Sequence, residues 1–533
     1  MQVLVTEKLS PAGMAYLRAH AEVDMRTGLS HQELLSIIGE YDALVVRSRT
    51  DVNAALIEAG KKLRVIGRAG TGVDNIDVDA ATRRGIAVVN APTGNSNAVA
   101  EHTIALMLAL ARRLYPAAAT MKEGRWEKSA LEGVEVRERV LGLVGLGRIG
   151  TLVASKAKAL EMHVLAYDPY ISAERAASLG VELGALEDVL SRADFISVHT
   201  PLLPQTKGMI GAAELARVKP TAYILNCARG GIIDEQALKE ALREGRIAGA
   251  GLDVFEVEPV TDRELVELPN VIATPHLGAS TAEAQESVSI DVAESVIAVL
   301  EGRMPATPVN VPYLAPHAAS FLQPYIDLAQ RLGSFFIQWH GKLADRIEII
   351  YQGEICEYDT RPLTAAFLAG LLGSVSAEPV NIVNAGHLAS RRGLVIAEMC
   401  RSRIEHFGNL IIARFPETQG KHDIAGTIIN REPHLVRLDG QRLDCVVAGH
   451  MLVDLHHDRP GIVGGMGQTL GQAGINISFV QMSRVSPGGP SIMILGLDEE
   501  VDSEILSQLL QIPNVQRVRM VSLPPYTNGY LEH

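Results

Sequence analysis

The sequence predicts an α/β protein with two doubly wound, Rossmann-like lobes, followed by an α+β unit and a ferredoxin-like domain. Short aliphatic and β-branched runs alternate with helical patterns through the first 280 residues, as in parallel sheets covered by helices. A Gly-x-Gly-x-x-Gly motif at 145–150 lies between a strand pattern and a helix pattern. A segment with four prolines at 304–316 then indicates a linker, after which the pattern changes.

The first lobe is predicted from four strand patterns in residues 1–95 and the helical patterns between them. Strands are expected at 3–5, 43–46, 65–67 and 86–89, and helices at 30–38 and 52–59. A long apolar helix is predicted next, at 97–113. Because it is apolar nearly all round, it is either a buried core helix or a helix at a subunit contact, and we favour the contact.

The second lobe and the tail complete the prediction. Strands are expected at 140–144, 164–167, 195–198, 223–226, 249–252 and 271–273, with a helix at 151–161 after the glycine motif. Ser280-Thr281-Ala282-Glu283 resembles a capping box that opens a helix ending at Leu300. Helices are predicted at 364–372 and 387–399, and residues 446–523 follow the β-α-β-β-α-β order of a ferredoxin-like domain. His406, His422 and His434 are scattered, so no metal site is predicted.

Composition excludes several classes of protein. The net charge of −13 argues against a nucleic-acid partner and against an anionic membrane surface. The four cysteines are widely spaced and form no CxxC pair, which argues against a disulfide framework or a zinc site. The N-terminus lacks a signal pattern, and the longest apolar run, 103–111, is too short to span a bilayer. We therefore expect a soluble, cytoplasmic protein.

The glycine motif indicates a dinucleotide site. Gly145 would make the tight turn, Gly147 would let the backbone approach a pyrophosphate, and Gly150 would let the helix pack on the strand. Asp168 lies 18 residues after Gly150, at the end of the next strand pattern. A carboxylate there accepts hydrogen bonds from a ribose diol and repels a 2′-phosphate, so the sequence favours NAD over NADP.

Three polar residues follow later strand patterns of the same lobe. Arg229, between glycines in Asn-Cys-Ala-Arg-Gly-Gly, can hold a carboxylate in two-point contact and polarise an adjacent keto oxygen. His276 has the chemistry of a proton donor and acceptor near neutral pH. Glu258 is the candidate that orients its ring. Ligands of open parallel sheets bind at the carboxyl ends of the strands, where these residues are expected.

These motifs resemble the D-isomer-specific 2-hydroxyacid dehydrogenases over residues 1–310. The resemblance rests on 145–150, 227–231, Glu258 and 275–280, and further on Val46-Arg47-Ser48, Gly67–Asn75, Gly94-Asn95-Ser96 and His199-Thr200-Pro201-Leu202. The tail resembles that of long members of the family, an intervening domain followed by an ACT domain, through 458–461 and 474–477. The resemblance implies a substrate domain at 1–96 and 281–310, an NAD domain at 97–280, an intervening domain at 317–442 and an ACT domain at 446–523.

The resemblance also implies an activity and its residues. The activity is the NAD-dependent oxidation of a small phosphorylated 2-hydroxy acid, with Arg229, Glu258 and His276 as catalytic residues. The implied NAD contacts are Thr71, Gly145, Gly147, Arg148, Ile149, Gly150, Asp168, Thr200, Cys227, Ala228, Asp253, Leu277, Gly278 and Ala279. Arg47, Arg68 and Gly70 would bind substrate, and His456, Asp458 and Asn476 would bind an L-serine effector between two ACT domains. A homo-oligomer, either dimer or tetramer, is implied.

Two other functions stay open at this stage. One is a dehydrogenase for an unphosphorylated acid such as hydroxypyruvate or glyoxylate, or for 2-hydroxyglutarate, against which the arginines at 47 and 68 and the ACT tail weigh. The other is an NAD-sensing transcriptional corepressor on the same fold, for which a flexible tail is expected. The tail could also be a scaffold for a tetramer without any sensing role.

Overall fold

The computed structural model describes residues 1–314, 316–401, 407–416 and 422–526. Four β-sheets and seventeen α-helices are found in these ranges. The two N-terminal sheets are entirely parallel and the other two are largely antiparallel. The predicted α/β class with two Rossmann-like lobes, an α+β unit and a ferredoxin-like domain is therefore confirmed.

The first lobe is a five-stranded parallel sheet in the order β2-β1-β3-β4-β5. Its strands are β1 Gln2–Val5, β2 Glu22–Met25, β3 Ala43–Val46, β4 Val65–Arg68 and β5 Ala87–Asn90. Its first helices are α1 Pro11–His20, α2 His31–Ile37, α3 Ala54–Ala59 and α4 Val78–Arg83. The central strands are buried along nearly their whole length because helices cover both faces. The half-exposed edge strand β2 lacks an aliphatic run, and sequence patterns missed it.

The second lobe is a seven-stranded parallel sheet in the order β12-β11-β10-β9-β6-β7-β8. Its helices are α5 Ser96–Ala111, α6 Leu114–Lys122, α7 Arg148–Ala159, α8 Ala173–Ser178, α9 Leu186–Arg192, α10 Ala212–Leu215 and α11 Glu235–Arg243. Its strands are β6 Val140–Val144, β7 His163–Tyr167, β8 Glu182–Leu183, β9 Phe195–Val198, β10 Tyr223–Asn226, β11 Gly249–Leu252 and β12 Val271–Ala273. The strand order reverses beside β6, where the glycine motif lies.

Helix α12, Ala282–Leu300, returns the chain to the first lobe, where its aliphatic face packs on β4 and β5. Thr281 is its N-cap and accepts a hydrogen bond from the Ala284 amide. The predicted capping box is therefore corrected: Thr281 caps the helix, and the N3 residue is alanine, which has no carboxylate to return the bond.

The intervening unit is a six-stranded mixed sheet in the order β14-β13-β15-β16-β17-β18, with a long helix packed on it. Its helices are α13 Pro316–His340, α14 Arg361–Gly373 and α15 Ala385–Arg391, and its strands are β13 Arg346–Gly353, β14 Val395–Arg401, β15 Asn409–Arg414, β16 Asp423–Ile429, β17 Glu432–Leu438 and β18 Gln441–Val446. The predicted helix at 387–399 is wrong in its second half. Those residues form β14, which pairs in parallel with β13. His406 lies outside the described residues.

The C-terminal domain is a four-stranded antiparallel sheet in the order β20-β21-β19-β22. It contains β19 Gly449–His457, α16 Ile462–Gln472, β20 Ile477–Arg484, β21 Pro490–Leu497, α17 Ser503–Leu510 and β22 Val515–Leu523, as the β-α-β-β-α-β pattern predicts. One face of this sheet packs on its two helices, and the other shares a core with α13. The last two domains thus form one packed body.

Helix α5 is a core helix within this chain, packed between the second-lobe sheet and α7. Nine of its sixteen residues are buried within this chain, and the subunit contact stays a prediction. No single helix in the described ranges is long and apolar enough to cross a membrane. Only α5 and α6 taken together reach that apolarity, and they are bent by 66°.

Candidate active site

The glycine turn between β6 and α7 is shaped for a phosphate group. Gly145 has a φ of +101°, a conformation that side chains disfavour, and a Cβ at Gly150 would overlap the Gly145 carbonyl. A Cβ at Gly147 would meet nothing within 4 Å, so the backbone is open on that side. Helix α7 starts at Arg148 without a side-chain cap, which leaves its first amides free to bind an anion.

Asp168 lies beside this turn at the end of β7. Its Oδ2 accepts a hydrogen bond from the Leu146 amide at 2.8 Å, and its Oδ1 accepts one from the Tyr170 amide at 2.9 Å. These two bonds fix the carboxylate next to the glycine turn. It therefore stands where the ribose diol of a dinucleotide bound at that turn would lie.

Other residues around the turn fit the same cofactor. The Thr200 hydroxyl is buried and has no hydrogen-bond partner among the described residues, so it is available to a ligand. Arg148 is exposed and directs a guanidinium nitrogen to the Pro92 carbonyl of the first lobe at 3.5 Å. Ile149 is partly buried against the α5–α7 core. The open turn, the fixed carboxylate and the unpaired hydroxyl together fit NAD.

Asp253 organises the loop that carries His276 rather than presenting a free carboxylate. Its two oxygens accept hydrogen bonds from the Leu277 amide at 2.7 Å, the Gly278 amide at 2.8 Å and the Thr274 hydroxyl at 2.6 Å. Burial acts to raise the pKa of Asp253, but these bonds and His102 outweigh it and lower the pKa. These bonds support a role for Asp253 in positioning the loop, and its direct contact with NAD stays a prediction. In the same loop, the Ala279 carbonyl accepts a hydrogen bond from the Gln285 side chain.

Three residues implied as NAD contacts have side chains directed into the protein. Burial raises the pKa of the Cys227 thiol to about 12, so that this group stays protonated and inert. The Thr71 hydroxyl donates to Asn95 at 2.6 Å and lies 3.2 Å from the Ala91 carbonyl. Ala228 has no functional group. These positions are available to a cofactor through the backbone only.

His276 and Glu258 form the predicted acid/base pair. His276 Nδ1 lies 2.8 Å from Glu258 Oε2, and Glu258 Oε1 accepts a hydrogen bond from the Phe255 amide at 3.0 Å. His276 follows β12 with a φ of +55°, a rare backbone conformation held by the Asp253 network. Burial acts to raise the pKa of Glu258, but the bonds from His276 and Phe255 lower it overall, which keeps the carboxylate ionised.

Arg229 reaches from the second lobe onto the first. Its Nε donates to Asp74 Oδ2 at 3.0 Å, and a Cβ at Gly72 would overlap its guanidinium. The neighbouring Gly70 gives the same room to Arg68. Two guanidinium groups lie against this turn, so a side chain at Gly70 or Gly72 would overlap them.

Arg68 is the least satisfied charge at this edge. Its Nε is buried without a hydrogen-bond partner within the described ranges. Burial lowers the pKa of Arg68 to about 10, and the nearby Arg229 charge adds to this effect. Arg47 lies on the adjacent strand end, where Glu7 binds its backbone amide at 2.9 Å. Two close guanidiniums and a third nearby form a site for a small, multiply charged anion.

The Arg229 loop and the Glu258 loop are packed together. A Cβ at Gly230 would overlap the Phe255 backbone, so only glycine allows this approach. Arg229 follows β10 and His276 follows β12, with β11 between them. The guanidinium and the imidazole therefore stand at the same edge of the sheet, and the guanidinium contacts the first lobe.

Sequence reasoning missed three residues of this site. Asp74 binds Arg229, Glu7 accepts the amides of the 47–50 loop, and His102 Nε2 lies 3.1 Å from the Thr274 hydroxyl. Asp74 lies inside the quoted Gly67–Asn75 motif, which was the available signal. Glu7 and His102 carry no motif, and only the fold brings them to the site.

The predicted effector residues do not lie together within one chain. Asp458 follows β19, where it binds Arg484 at 3.0 Å, and Asn476 precedes β20, where it binds Asp498 at 2.8 Å. Because β19 and β20 both pair with β21, Asp458 and Asn476 lie at opposite ends of the strands. They are about 25 Å apart at ~3.3 Å per residue. His456 is buried and bonded to Asp454, so the structure argues against its contacting an effector.

Comparison with known proteins agrees with this geometry. Family models match at 104–278 for the D-isomer-specific 2-hydroxyacid dehydrogenase NAD-binding domain, at 321–439 for the D-3-phosphoglycerate dehydrogenase intervening domain and at 450–514 for the ACT domain. D-3-phosphoglycerate dehydrogenase of Methanocaldococcus jannaschii is 44% identical over 98% of this chain and 100% of its own length. The Synechocystis enzyme of that name is 43% identical over 98% of this chain and 95% of its own.

Solved structures match the two N-terminal lobes. The TT0316 protein of Thermus thermophilus is 38% identical with a TM-score of 0.55 and covers 58% of this chain and 100% of its own. D-lactate dehydrogenase of Aquifex aeolicus, solved with NAD and lactic acid, is 26% identical with a TM-score of 0.53, over 58% of this chain and 99% of its own. The chain therefore belongs to the D-3-phosphoglycerate dehydrogenases with intervening and ACT domains, within the D-isomer-specific 2-hydroxyacid dehydrogenase family.

Proposed function

We propose that this chain oxidises D-3-phosphoglycerate to 3-phosphohydroxypyruvate with NAD, the first step of L-serine biosynthesis. The observation that carries the proposal is the His276–Glu258 pair beside the Arg229 loop. An acid/base and a carboxylate-binding guanidinium at one sheet edge are what oxidation of a 2-hydroxy acid requires. The names of the full-length relatives support the same activity.

The proton chemistry follows from the contacts of His276. Glu258 accepts a hydrogen bond from Nδ1–H of His276, so in the neutral ring Nε2 is unprotonated and directed away from Glu258. Nε2 takes the hydroxyl proton of the substrate as its C2–O bond becomes a carbonyl, and the ionised Glu258 stabilises the imidazolium that forms. NAD, when bound, accepts the hydride that leaves C2. In the reverse direction His276 returns the proton.

The arginines bind different anionic groups of the substrate. Arg229 holds the carboxylate in two-point contact beside the C2 oxygen, and Arg68 with Arg47 binds the phosphate. The buried, unpaired Nε of Arg68 favours a substrate with a second anionic group over D-glycerate or glyoxylate. 2-Hydroxyglutarate also has a second anionic group, but as a planar carboxylate with one charge fewer.

A substrate panel tests the assignment. NADH formation is measured with D-3-phosphoglycerate, D-glycerate and D-2-hydroxyglutarate at matched pH. We expect kcat/KM for D-3-phosphoglycerate to exceed that for D-glycerate on the order of 10²-fold, the effect of leaving a buried charge unpaired. Equal rates on D-glycerate would contradict the phosphate assignment, and no turnover on any acid would favour the NAD-sensing corepressor.

A homo-oligomer is the second part of the proposal. The segment after α5 exposes four large apolar side chains, Leu114, Tyr115, Met121 and Trp126, and Trp126 is 80% exposed. Such a patch is typical of a protein–protein contact. We expect Trp126→Asp to lower the mass measured by light scattering, whereas Tyr170→Asp, at an exposed aromatic residue elsewhere, leaves it unchanged. An unchanged mass in Trp126→Asp would exclude this contact.

Regulation by L-serine is the third part. Because Asp458 and Asn476 lie at opposite ends of one ACT sheet, a site that uses both needs two chains. L-Serine is therefore titrated into the assay of the parent enzyme and of Asn476→Ala. Inhibition that Asn476→Ala abolishes would support the site, and no response in the parent would leave the tail as a scaffold.

A further inference from the structure

Three polar side chains, each with one unpaired buried atom, meet in the intervening domain, far from the active-site motifs in sequence. His340 ends α13, His422 precedes β16, and Asp439 follows β17. His340 Nε2 lies 3.4 Å from Asp439 Oδ1, and His422 Nδ1 lies 3.6 Å from the same oxygen. All three atoms lie within 4.8 Å of one another. The prediction from the sequence considered His422 with His406 and His434, and it did not consider His340.

Each of these three atoms is buried and lacks a hydrogen-bond partner in the part of the chain that the structure describes. Buried polar atoms are nearly always paired, and one exception costs about 1–3 kcal/mol. Three exceptions that face one another are explained together if one ligand satisfies all of them. A ligand bound by two imidazole nitrogens and a carboxylate oxygen is a metal cation.

The two distances to Asp439 agree with a tetrahedral ion. Two atoms bound to zinc at ~2.0–2.1 Å lie about 3.3 Å apart at the tetrahedral angle, close to the distances His340 and His422 make with Asp439. We infer that His340, His422 and Asp439 form a binding site for a divalent transition-metal ion of the zinc class. This inference is independent of the proposed function.

The surroundings supply the outer contacts of such a site. Trp339 Nε1 donates to Asp439 Oδ2 at 2.8 Å, which turns the other carboxylate oxygen toward the histidines. Phe336 packs edge-on against the His340 ring at 4.6 Å and restrains it. The His422 side chain is 42% exposed, so a water molecule or an anion can complete the fourth position from solvent.

Nearby arginine side chains affect how strongly the metal ion would bind. Arg517 lies over the Trp339 ring at 3.9 Å, and its charge and that of Arg519 both act on His340. Asp423 partly offsets them, as its charge acts on Asp439. The two arginines oppose a dication, so we expect weaker binding than in a closed structural zinc site, and a preference for an anionic fourth ligand.

A bound ion would lie where two domains meet. Its ligands are at the end of α13, before β16 and after β17, while Arg517 and Arg519 belong to β22 of the ACT sheet. Arg519 also donates to the Gln338 carbonyl at 3.3 Å, two residues before the end of α13. The ion would therefore fix the end of α13 at the point where the ACT domain contacts it.

The test is Zn²⁺ binding by the untagged, full-length protein after treatment with a chelator. Calorimetric titration should give one ion per chain, and Co²⁺ should give the visible absorption of a tetrahedral site. His422→Ala and Asp439→Asn should weaken binding at least tenfold. His434→Ala, which removes a histidine paired with Asp444 in the same domain, should leave it unchanged.

Each readout can overturn the inference. His422 is partly exposed and Asp439→Asn keeps an oxygen for Trp339, so both variants should fold, which circular dichroism checks. Absence of Zn²⁺ binding in the parent, or equal affinity in His422→Ala and His434→Ala, would refute the site. An octahedral Co²⁺ spectrum would refute the tetrahedral geometry. None of these measurements depends on dehydrogenase activity.

Discussion

Arg229 of the second lobe donates to Asp74 of the first lobe at 3.0 Å, across 155 residues of sequence. The guanidinium assigned to the substrate carboxylate is thus already paired with a protein carboxylate. Asp74 is 66% exposed at its side chain, and Arg229 is 29% exposed. A pair of this kind is worth about 0.2–1 kcal/mol, so a bound substrate can displace it at small cost.

Asp74→Asn should therefore help substrate binding. The amide removes the competing charge but keeps an acceptor for Arg229, so we expect KM for the 2-hydroxy acid to fall by about two- to fivefold with kcat nearly unchanged. Steady-state kinetics measure both. Glu267→Gln, at an exposed ion pair with Arg263, is the matched control and should change neither constant. A higher KM in Asp74→Asn would mean that Asp74 holds Arg229 in place for the substrate.

Removal of the acid/base pair should separate its two members. His276→Ala should lower kcat by about 10²–10⁴, because no nearby group replaces Nε2. Glu258→Gln keeps a hydrogen-bond acceptor but loses the charge that stabilises the imidazolium, so a smaller loss is expected. A normal kcat in a correctly folded His276→Ala would reject the assignment.

The pH profile gives a second measure of this pair. Since the pKa of Glu258 is below that of an ordinary glutamate, its carboxylate stays charged at neutral and mildly acidic pH. The Glu258 carboxyl should therefore not contribute a proton to the acid limb of kcat/KM near neutral pH. An acid limb that reports two protons near neutral pH would contradict this.

Asp168 should determine the choice between the two nicotinamide cofactors. Asp168→Asn keeps oxygen for one of the two backbone amides but removes the charge that repels a 2′-phosphate. We expect the NAD-to-NADP ratio of kcat/KM to fall by about 10–100-fold, equivalent to ~1.4–2.7 kcal/mol. Glu182→Gln on β8 removes an exposed charge from the same lobe and serves as the control. An unchanged ratio would remove Asp168 from the ribose site.

The parallel lobes were predictable because their signals are local. A buried parallel strand is a short aliphatic run, and the glycine motif needs a strand before it and a helix after it. Strand β14 was not predictable in this way. Residues after Arg391 have helix-compatible composition, and only their pairing with β13, some fifty residues earlier, makes them a strand.

The active-site residues also divide into those that local sequence patterns predict and those that only the fold brings together. Arg229, Glu258 and His276 come directly after strands or within motifs, so their meeting at one edge could be inferred. The internal use of Asp253 and Cys227 could not, because it depends on which way each side chain turns. The meeting of His340 with His422 depends on the path of a mixed sheet between them, for which no local pattern exists.

Asp253 provides the last prediction, since it binds the amides of Leu277 and Gly278 beside His276. Asp253→Asn replaces one accepting oxygen by a donor, which leaves a buried amide unpaired at a cost of about 1–3 kcal/mol. Hydrogen exchange should accelerate at residues 277 and 278, and kcat should fall because His276 loses its support. Asp502→Asn, at a helix N-cap where asparagine serves equally well, should change neither.

The pH dependence of this effect has a definite sign. The pKa of folded Asp253 is lowered, so its stabilisation is fully present above the unfolded value of about 3.9 and is lost as pH falls through the lower folded value. The difference in amide protection between the parent and Asp253→Asn should therefore be constant from neutral pH down to about pH 5, and shrink only below about pH 4. A difference that disappears already near pH 6 would contradict control of the loop by Asp253.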